Sequence, residues 1–154
     1  MKRSILAIAT LIAGIFLMTA CDKEQSKTYE GDLQGAEVLT TLTYKGDKVL
    51  KQSSIMTIDY DKNGVSKSDA EKILDKQEKI FKDVEGVTYK KEVKKDKAIQ
   101  KVEIDYETDD VKKMTKKLGI TGPAKGEDYV NMKDVQRAMK KAGFEAKKPL
   151  KDNE

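Results

Sequence analysis

A single cysteine, Cys21, stands directly behind an apolar run. Lys2 and Arg3 precede that run, Ile5 to Met18 form it, and Thr19-Ala20 place small residues just before the thiol. These are the parts of a secretory signal, and a run so short and so near the terminus does not serve as a retained span. Ordinary cleavage asks for a small-x-small site. Leu17-Met18-Thr19-Ala20-Cys21 instead resembles the bacterial lipobox, with Met18 where leucine is usual. The chemistry there is S-alkylation: the thiol receives a diacylglyceryl group, the leader is removed, and Cys21 becomes the new N-terminus. The alternative, an ordinary signal followed by a free thiol, does not explain why the lone cysteine falls where lipidation needs it. The expectation is a covalent lipid on Cys21, no other cofactor, and a bilayer anchor on the extracytoplasmic face of the cell membrane.

Other chemistry is thin. With no histidine, and no cysteine left after lipidation, zinc and copper sites of the usual kinds lose their ligands. Histidine acid–base work, thiol nucleophiles and Ser-His-Asp triads lose their parts as well. Lysine and arginine total 31 against 27 acids, a net of +4, which falls to +2 once Lys2 and Arg3 leave with the signal. So balanced a chain is not held to nucleic acid by charge, and none is expected as a partner. Every base except Arg3 and Arg137 is lysine, and the plain reading is a solvated surface.

Three weaker constellations remain. Asp59-x-Asp61-x-Asn63-Gly64 has the alternating oxygen donors and the glycine of a calcium loop. Its closing glutamate is missing, since Ala70 occupies that position, and Lys67 brings a positive charge into the loop. Asx chemistry at a strand-to-helix turn explains the residues as well, so Asp59, Asp61 and Asn63 are weak metal candidates and no metal is favoured. The acid pairs Asp109-Asp110 and Glu127-Asp128 have the residue types of a hydrolase acting on wall glycan or phosphate esters. Helix-start charge accounts for the first pair. Lysine pairs 112–113, 116–117, 140–141 and 147–148 give the C-terminal third a basic excess that suits an anionic envelope surface or a solvated helix face.

The elements that must position these groups follow from periodicity. Val38 to Tyr44 and Val49 to Tyr60 read as strands about a Lys45-Gly46-Asp47 turn, with Leu50, Met56, Ile58 and Tyr60 on one face. Ser68 and Glu71 form a capping box for a helix whose Ala70, Ile73, Leu74, Gln77, Ile80, Phe81 and Val84 recur at three- and four-residue steps up to Gly86. Val87 to Val93 and Ala98 to Tyr106 are a second pair of strands. Thr108 is the expected cap of a short helix ending at Gly119, and Glu127 to Val130 reads as a brief strand. Asn131 opens a last helix with Met132, Val135, Met139 and Ala142 inward, closed by Gly143 with Phe144 folding back. The four methionines of the mature chain fall at apolar-periodic positions and read as core. Leu42-Thr43-Tyr44-Lys45 is echoed by Val87-Thr88-Tyr89-Lys90, and Ile58-Asp59-Tyr60 by Ile104-Asp105-Tyr106, which raises a tandem ββα repeat.

Tyr44-Lys45-Gly46-Asp47-Lys48-Val49-Leu50-Lys51-Gln52-Ser53-Ser54, Ser68-Asp69-Ala70-Glu71-Lys72 and the closing Met139-Lys140-Lys141-Ala142-Gly143-Phe144 resemble the YehR-like lipoproteins. That family is a group of small bacterial lipoproteins defined by a domain of unknown function. The resemblance runs from the lipobox to the last helix. It implies a lipid-anchored α+β domain outside the cytoplasmic membrane and brings no catalytic or binding residues.

The organisation expected is a signal peptide at 1–20, the lipidated cysteine and a tether at 21–27, one α+β domain at 28–147 and a frayed end at 148–154. Its fold is an antiparallel sheet of about four strands with helices on one face. The opposite face, carrying Val49, Lys51, Ser53, Ile55 and Thr57, is then left to water and is the expected interaction surface. The function class is a non-catalytic binding or accessory module for an unidentified membrane or envelope protein. An acid-based hydrolase and a weak calcium-binding surface protein are the alternatives.

Overall fold

A computed structural model describes residues 23–147. The leader, Cys21 and the segment expected to fray, 148–154, lie outside the described residues. In chain order the elements are β1 (Gln25–Leu33), β2 (Ala36–Lys45), β3 (Lys48–Asp59), α1 (Tyr60–Asn63), α2 (Lys67–Phe81), β4 (Val87–Val93), β5 (Lys97–Asp105), α3 (Val111–Leu118), α4 (Met132–Lys141) and β6 (Glu145–Ala146). The strands form one antiparallel sheet in the order β4-β5-β3-β2-β1-β6, so it has six strands rather than about four. The extra strands are the first and the last. β1 starts at Gln25, inside the stretch expected as tether, and two-residue β6 closes on Tyr29 and Glu30.

Local chemistry explains the turns. Gln34 and Gly35 both take positive φ, 55° and 90°, the two-residue turn whose twist suits a hairpin. Asp32 Oδ1 secures it by accepting from the Gly35 N–H at 2.7 Å. Between β2 and β3 the register slips: Tyr44 pairs with Val49 but Thr43 pairs with Lys51, leaving Leu50 as an extra residue. This bulge turns two successive side chains inward, so Val49 and Leu50 are both buried.

One face of the sheet is covered. Val38, Leu42, Val102 and Ile104 join Val111 and Met114 of α3 and Met132 and Val135 of α4 in the larger core. Ala36, Ile58 and Ala98 join Ala70 and Leu74 of α2 in the smaller one. Tyr89 crosses between layers, its ring stacked 5.7 Å from Phe81 and its hydroxyl donating to the Leu74 carbonyl at 2.8 Å. Met114 and Met132 are buried, and Met56 and Met139 pack against the core, as expected of gap-filling methionine. Phe144 folds back onto Gly31, where a Cβ would lie 2.7 Å from the ring.

Several helix details differ from the sequence reading. The cap of α2 is Ser66, which accepts from the Asp69 N–H at 3.1 Å and donates to its carboxylate at 2.7 Å. Ser68 lies within the first turn. Asp110, not Thr108, caps α3, while Asn131 caps α4 as read. Ile73, Ile80 and Ala142 are exposed, because α2 docks through the narrower stripe of Ala70 and Leu74 and α4 ends at Lys141. Residues 127–130 form no strand; they run beside β3, where the Val49 N–H donates to the Val130 carbonyl at 2.9 Å. The echoed tetrapeptides occupy opposite ends of their strands, Leu42–Lys45 closing β2 and Val87–Lys90 opening β4. That pair lends no support to a tandem repeat.

Candidate functional site

Among the described residues no helix packs on the second face of the sheet, and its side chains fall in register across five strands. Thr28, Thr41, Ser53, Glu103 and Thr88 make one row, and Glu30, Leu39, Ile55, Lys101 and Lys90 the next. Hydroxyls pair along it, Thr28 with Thr41 at 2.9 Å and Ser26 with Thr43 at 3.3 Å. Lys101 and Glu103, successive on this face of β5, form an ion pair at 2.8 Å. Hydrogen bonding to Lys101 holds the Glu103 carboxyl below the usual range. At the centre Leu39 and Ile55 are direct cross-strand partners, each more than a third exposed.

Of the residues expected on this face, Lys51, Ser53, Ile55 and Thr57 are there. Val49 is not. The bulge buries it completely, and its N–H is tied to Val130, so it leaves the candidate surface. Leu39 and Thr41, from the neighbouring strand, were missed; alternation along β2 holds the signal for both, since Val38, Thr40 and Leu42 are buried between them. The strand tyrosines Tyr29, Tyr44 and Tyr89 all lie on or against the core side, so among the described residues the open face offers hydroxyls, lysines, glutamates and the aliphatic chains of Leu39, Ile55 and Ile99 but no strand tyrosine to stack on a sugar.

The acidic candidates do not converge. Asp59 Oδ1 accepts from the Lys62 N–H at 3.0 Å as the cap of α1. Asp61 is exposed, and the Lys62 ammonium is bound to Glu37 Oε1 at 2.5 Å. Asn63 is turned instead toward the β1–β2 turn. Among the described residues no group of three or more histidine, cysteine, aspartate or glutamate side chains gathers as a metal site. Asp109 and Asp110 are exposed, and Asp110 is consumed as a cap. Lys112, Lys113, Lys116 and Lys117 stand exposed on α3, and Lys140 and Lys141 on α4. Lys91 is the most strongly committed cation. Hydrogen bonds to Asp75 at 2.5 Å and to Glu78 at 2.6 Å lift its pKa well above the ordinary lysine range and fasten β4 to α2.

The ends of the sheet have different surroundings. With β1 starting at Gln25, only Asp22, Lys23 and Glu24 separate Cys21 from the fold, roughly 10 Å of extended chain. The nine residues of β1 then carry the chain about 30 Å to Leu33 at the opposite end. There α2 and the β1–β2 turn flank a cavity.

Comparison with known proteins places this geometry. Residues 25–145 match the family model described as a protein of unknown function, DUF1307. The uncharacterized lipoprotein Lin0239 of Listeria innocua is 34% identical over 148 residues, spanning 94% of this chain and 95% of that protein. The uncharacterized lipoprotein YehR of Escherichia coli is 36% identical over 142 residues, spanning 90% and 92%. Among solved structures, the NMR structure of E. coli YehR superposes with a TM-score of 0.64, covering 86% of this chain and 95% of that one. An NMR structure of a Streptococcus pneumoniae protein, 14% identical with a TM-score of 0.51 and covering 82% and 86%, shares the fold. From the first strand to the last, the chain belongs to the DUF1307 family of YehR-like lipoproteins.

Proposed function

We propose that this lipoprotein is a non-catalytic binding or accessory module, held by lipid on Cys21 at the extracytoplasmic face of the cell membrane, that engages an envelope protein through its open sheet face. The observation that carries the reading is the asymmetry of the sheet. Among the described residues α2, α3 and α4 all pack on one side, while the other presents Lys51, Ser53, Ile55 and Thr57 beside Leu39 and Thr41. Exposed aliphatic side chains ringed by hydroxyls and lysines suit a protein surface better than a small polar substrate. The tether favours a neighbour close to the bilayer.

Proximity labelling from the anchored protein tests this reading, comparing wild type with Ile55→Lys. The expected result is loss of one or a few envelope proteins from the labelled set while the variant keeps its fold. An unchanged set places the interaction elsewhere. Metabolic labelling with a clickable palmitate checks the anchor, which Cys21→Ala is expected to abolish.

A further inference from the structure

Lys112, Lys113, Lys116 and Lys117 on α3 and Lys140 and Lys141 on α4 all stand exposed, and the open-face reading uses none of them. Their places in the fold differ. The row Ser26, Thr43, Lys51 and Asp105 crosses the sheet at the end where β1 starts, next to the tether. The Gly86 carbonyl accepts from the Asp105 N–H at 2.7 Å, and a Cβ on Gly86 would meet Met114 Sδ at 3.4 Å. So α3 lies against this same end. The 119–130 segment returns from it to Val130, whose carbonyl holds the N–H of Val49; Val49 pairs with Tyr44, and Tyr44 with Gln25. Two strand spacings, about 10 Å, separate Val49 from Gln25. Lys140 and Lys141 are elsewhere. Phe144, just beyond them, packs on Gly31, about 20 Å along β1 from Gln25.

The two flanks of α3 differ in what faces their lysines. Lys113 and Lys117 share a hollow with Asp83, Glu85 and Asp110, and Lys117 Nζ donates to the Asp83 carbonyl at 3.5 Å. Lys112 and Lys116 border the other flank with Thr115, Ile120, Gly122 and Pro123, a set without an acid. Among the described residues no carboxylate pairs with either lysine. Like charges four residues apart on one helix face repel, so the arrangement costs stability and gains nothing inside the fold. Ile120 and Pro123 are only partly buried beside them. Lysines around partly exposed apolar side chains make a surface that settles at a layer of lipid headgroups. Of the other charges at this end, Lys48 pairs with Glu107 and Lys133 with Asp47, both at 3.7 Å, and Asp109 stands exposed ahead of α3.

We propose that the Lys112–Lys116 flank of α3 rests on the anionic headgroups of the bilayer that holds the Cys21 lipid, so that this end of the sheet sits on the membrane. The proposal rests on the Cys21 anchor and not on the open-face reading. A tether of roughly 10 Å brings this flank to the headgroups and leaves Lys140 and Lys141 well above them. With this end down, the strands rise from the bilayer and the open face looks along it, toward neighbours in the same membrane.

Residues 21–154 hold one cysteine, so a maleimide lipid couples to Cys21 and installs an anchor at its own position. The outcome then does not depend on lipidation in cells, which palmitate labelling reads separately. The carriers are vesicles of phosphatidylcholine alone and of equimolar phosphatidylcholine and phosphatidylglycerol. Acetylation of each lysine by a neutral ester, followed by mass spectrometry, is the readout. Lys112 and Lys116 are expected to react roughly fivefold more slowly on the anionic vesicles, the ratio that one lysine's attraction to such a surface supplies. Lys140 and Lys141 should react alike on both, and high salt should remove the difference at Lys112 and Lys116. Equal rates at Lys112 and Lys116 on the two vesicles, or equal slowing at Lys140 and Lys141, would overturn the proposal. So would slowing by soluble polyphosphate on neutral vesicles with none from the anionic bilayer, which would assign the flank to a phosphate polymer.

Discussion

The two faces of the sheet are made from the same strands and differ in what each alternate residue meets. On the covered face of β2, Val38, Thr40 and Leu42 are buried, and the Thr40 hydroxyl is satisfied by Ser54 at 2.9 Å. On the open face of the same strand, Thr41 and Thr43 share hydrogen bonds with Thr28 and Ser26 of β1, and Leu39 is more than a third exposed. The covered face stabilises the domain through packing, whereas the open face contributes little to stability and is free to vary with what it contacts. The difference teaches that alternate residues of one segment meet a packed core and open solvent, and the proposed recognition falls to the second set. A substitution one position along therefore changes the experiment entirely.

The sharpest contrast comes from truncating the two faces. Leu42→Ala, at a site with no exposure, is expected to cost about 2–5 kcal/mol in denaturant unfolding. Ile55→Ala, 39% exposed, is expected to stay within roughly 0.5 kcal/mol. Comparable losses at both positions would mean that something covers the open face in the folded protein. A smaller effect is expected at the helix that shields the other side. Ser66→Ala removes the cap of α2 and should cost about 1 kcal/mol. Ser68→Ala, inside the first turn, should be neutral or slightly stabilising.

A further effect lies in alkali. Burial pushes the Tyr89 phenol up to about 12 from its ordinary value of 10.0. Between those values the unfolded chain releases the proton that the folded chain retains, so this contribution to stability is lost as pH rises across that window. Tyr89→Phe is expected to flatten the pH dependence there, as read by thermal unfolding at a series of alkaline pH values. An unaltered slope would show that Tyr89 is not held against Leu74 and Phe81 in solution.

Much of this contrast was legible in the residues. The β2–β3 and β4–β5 hairpins and helices α2 and α4 follow from periodicity, and Phe144 from the Gly143 stop. What escaped notice has physical causes. β1 reads Gln-Ser-Lys-Thr-Tyr-Glu-Gly-Asp-Leu, in which Tyr29 is the lone buried side chain, so there was little alternation to detect. Strict alternation put Val49 on the open face, and a bulge set by the β2 register overrode it. Ile73 and Ile80 sit within a helical stripe wider than the surface on which α2 docks. The Asp59–Asn63 pattern contained the right atoms for a cation, but cap formation and the approach to Gly35 direct them apart. The open face was readable from Lys51, Ser53, Ile55 and Thr57, and the alternation along β2 that carries Leu39 and Thr41 went unread.

The central claim is that recognition belongs to the open face, and site-specific photocrosslinking in cells tests it most directly. A benzophenone side chain at Ile55 reports on the open face, and one at Arg137, exposed on α4, reports on the helix layer. The account predicts a discrete protein adduct from position 55 and none from position 137. An adduct from 137 with none from 55 would contradict it.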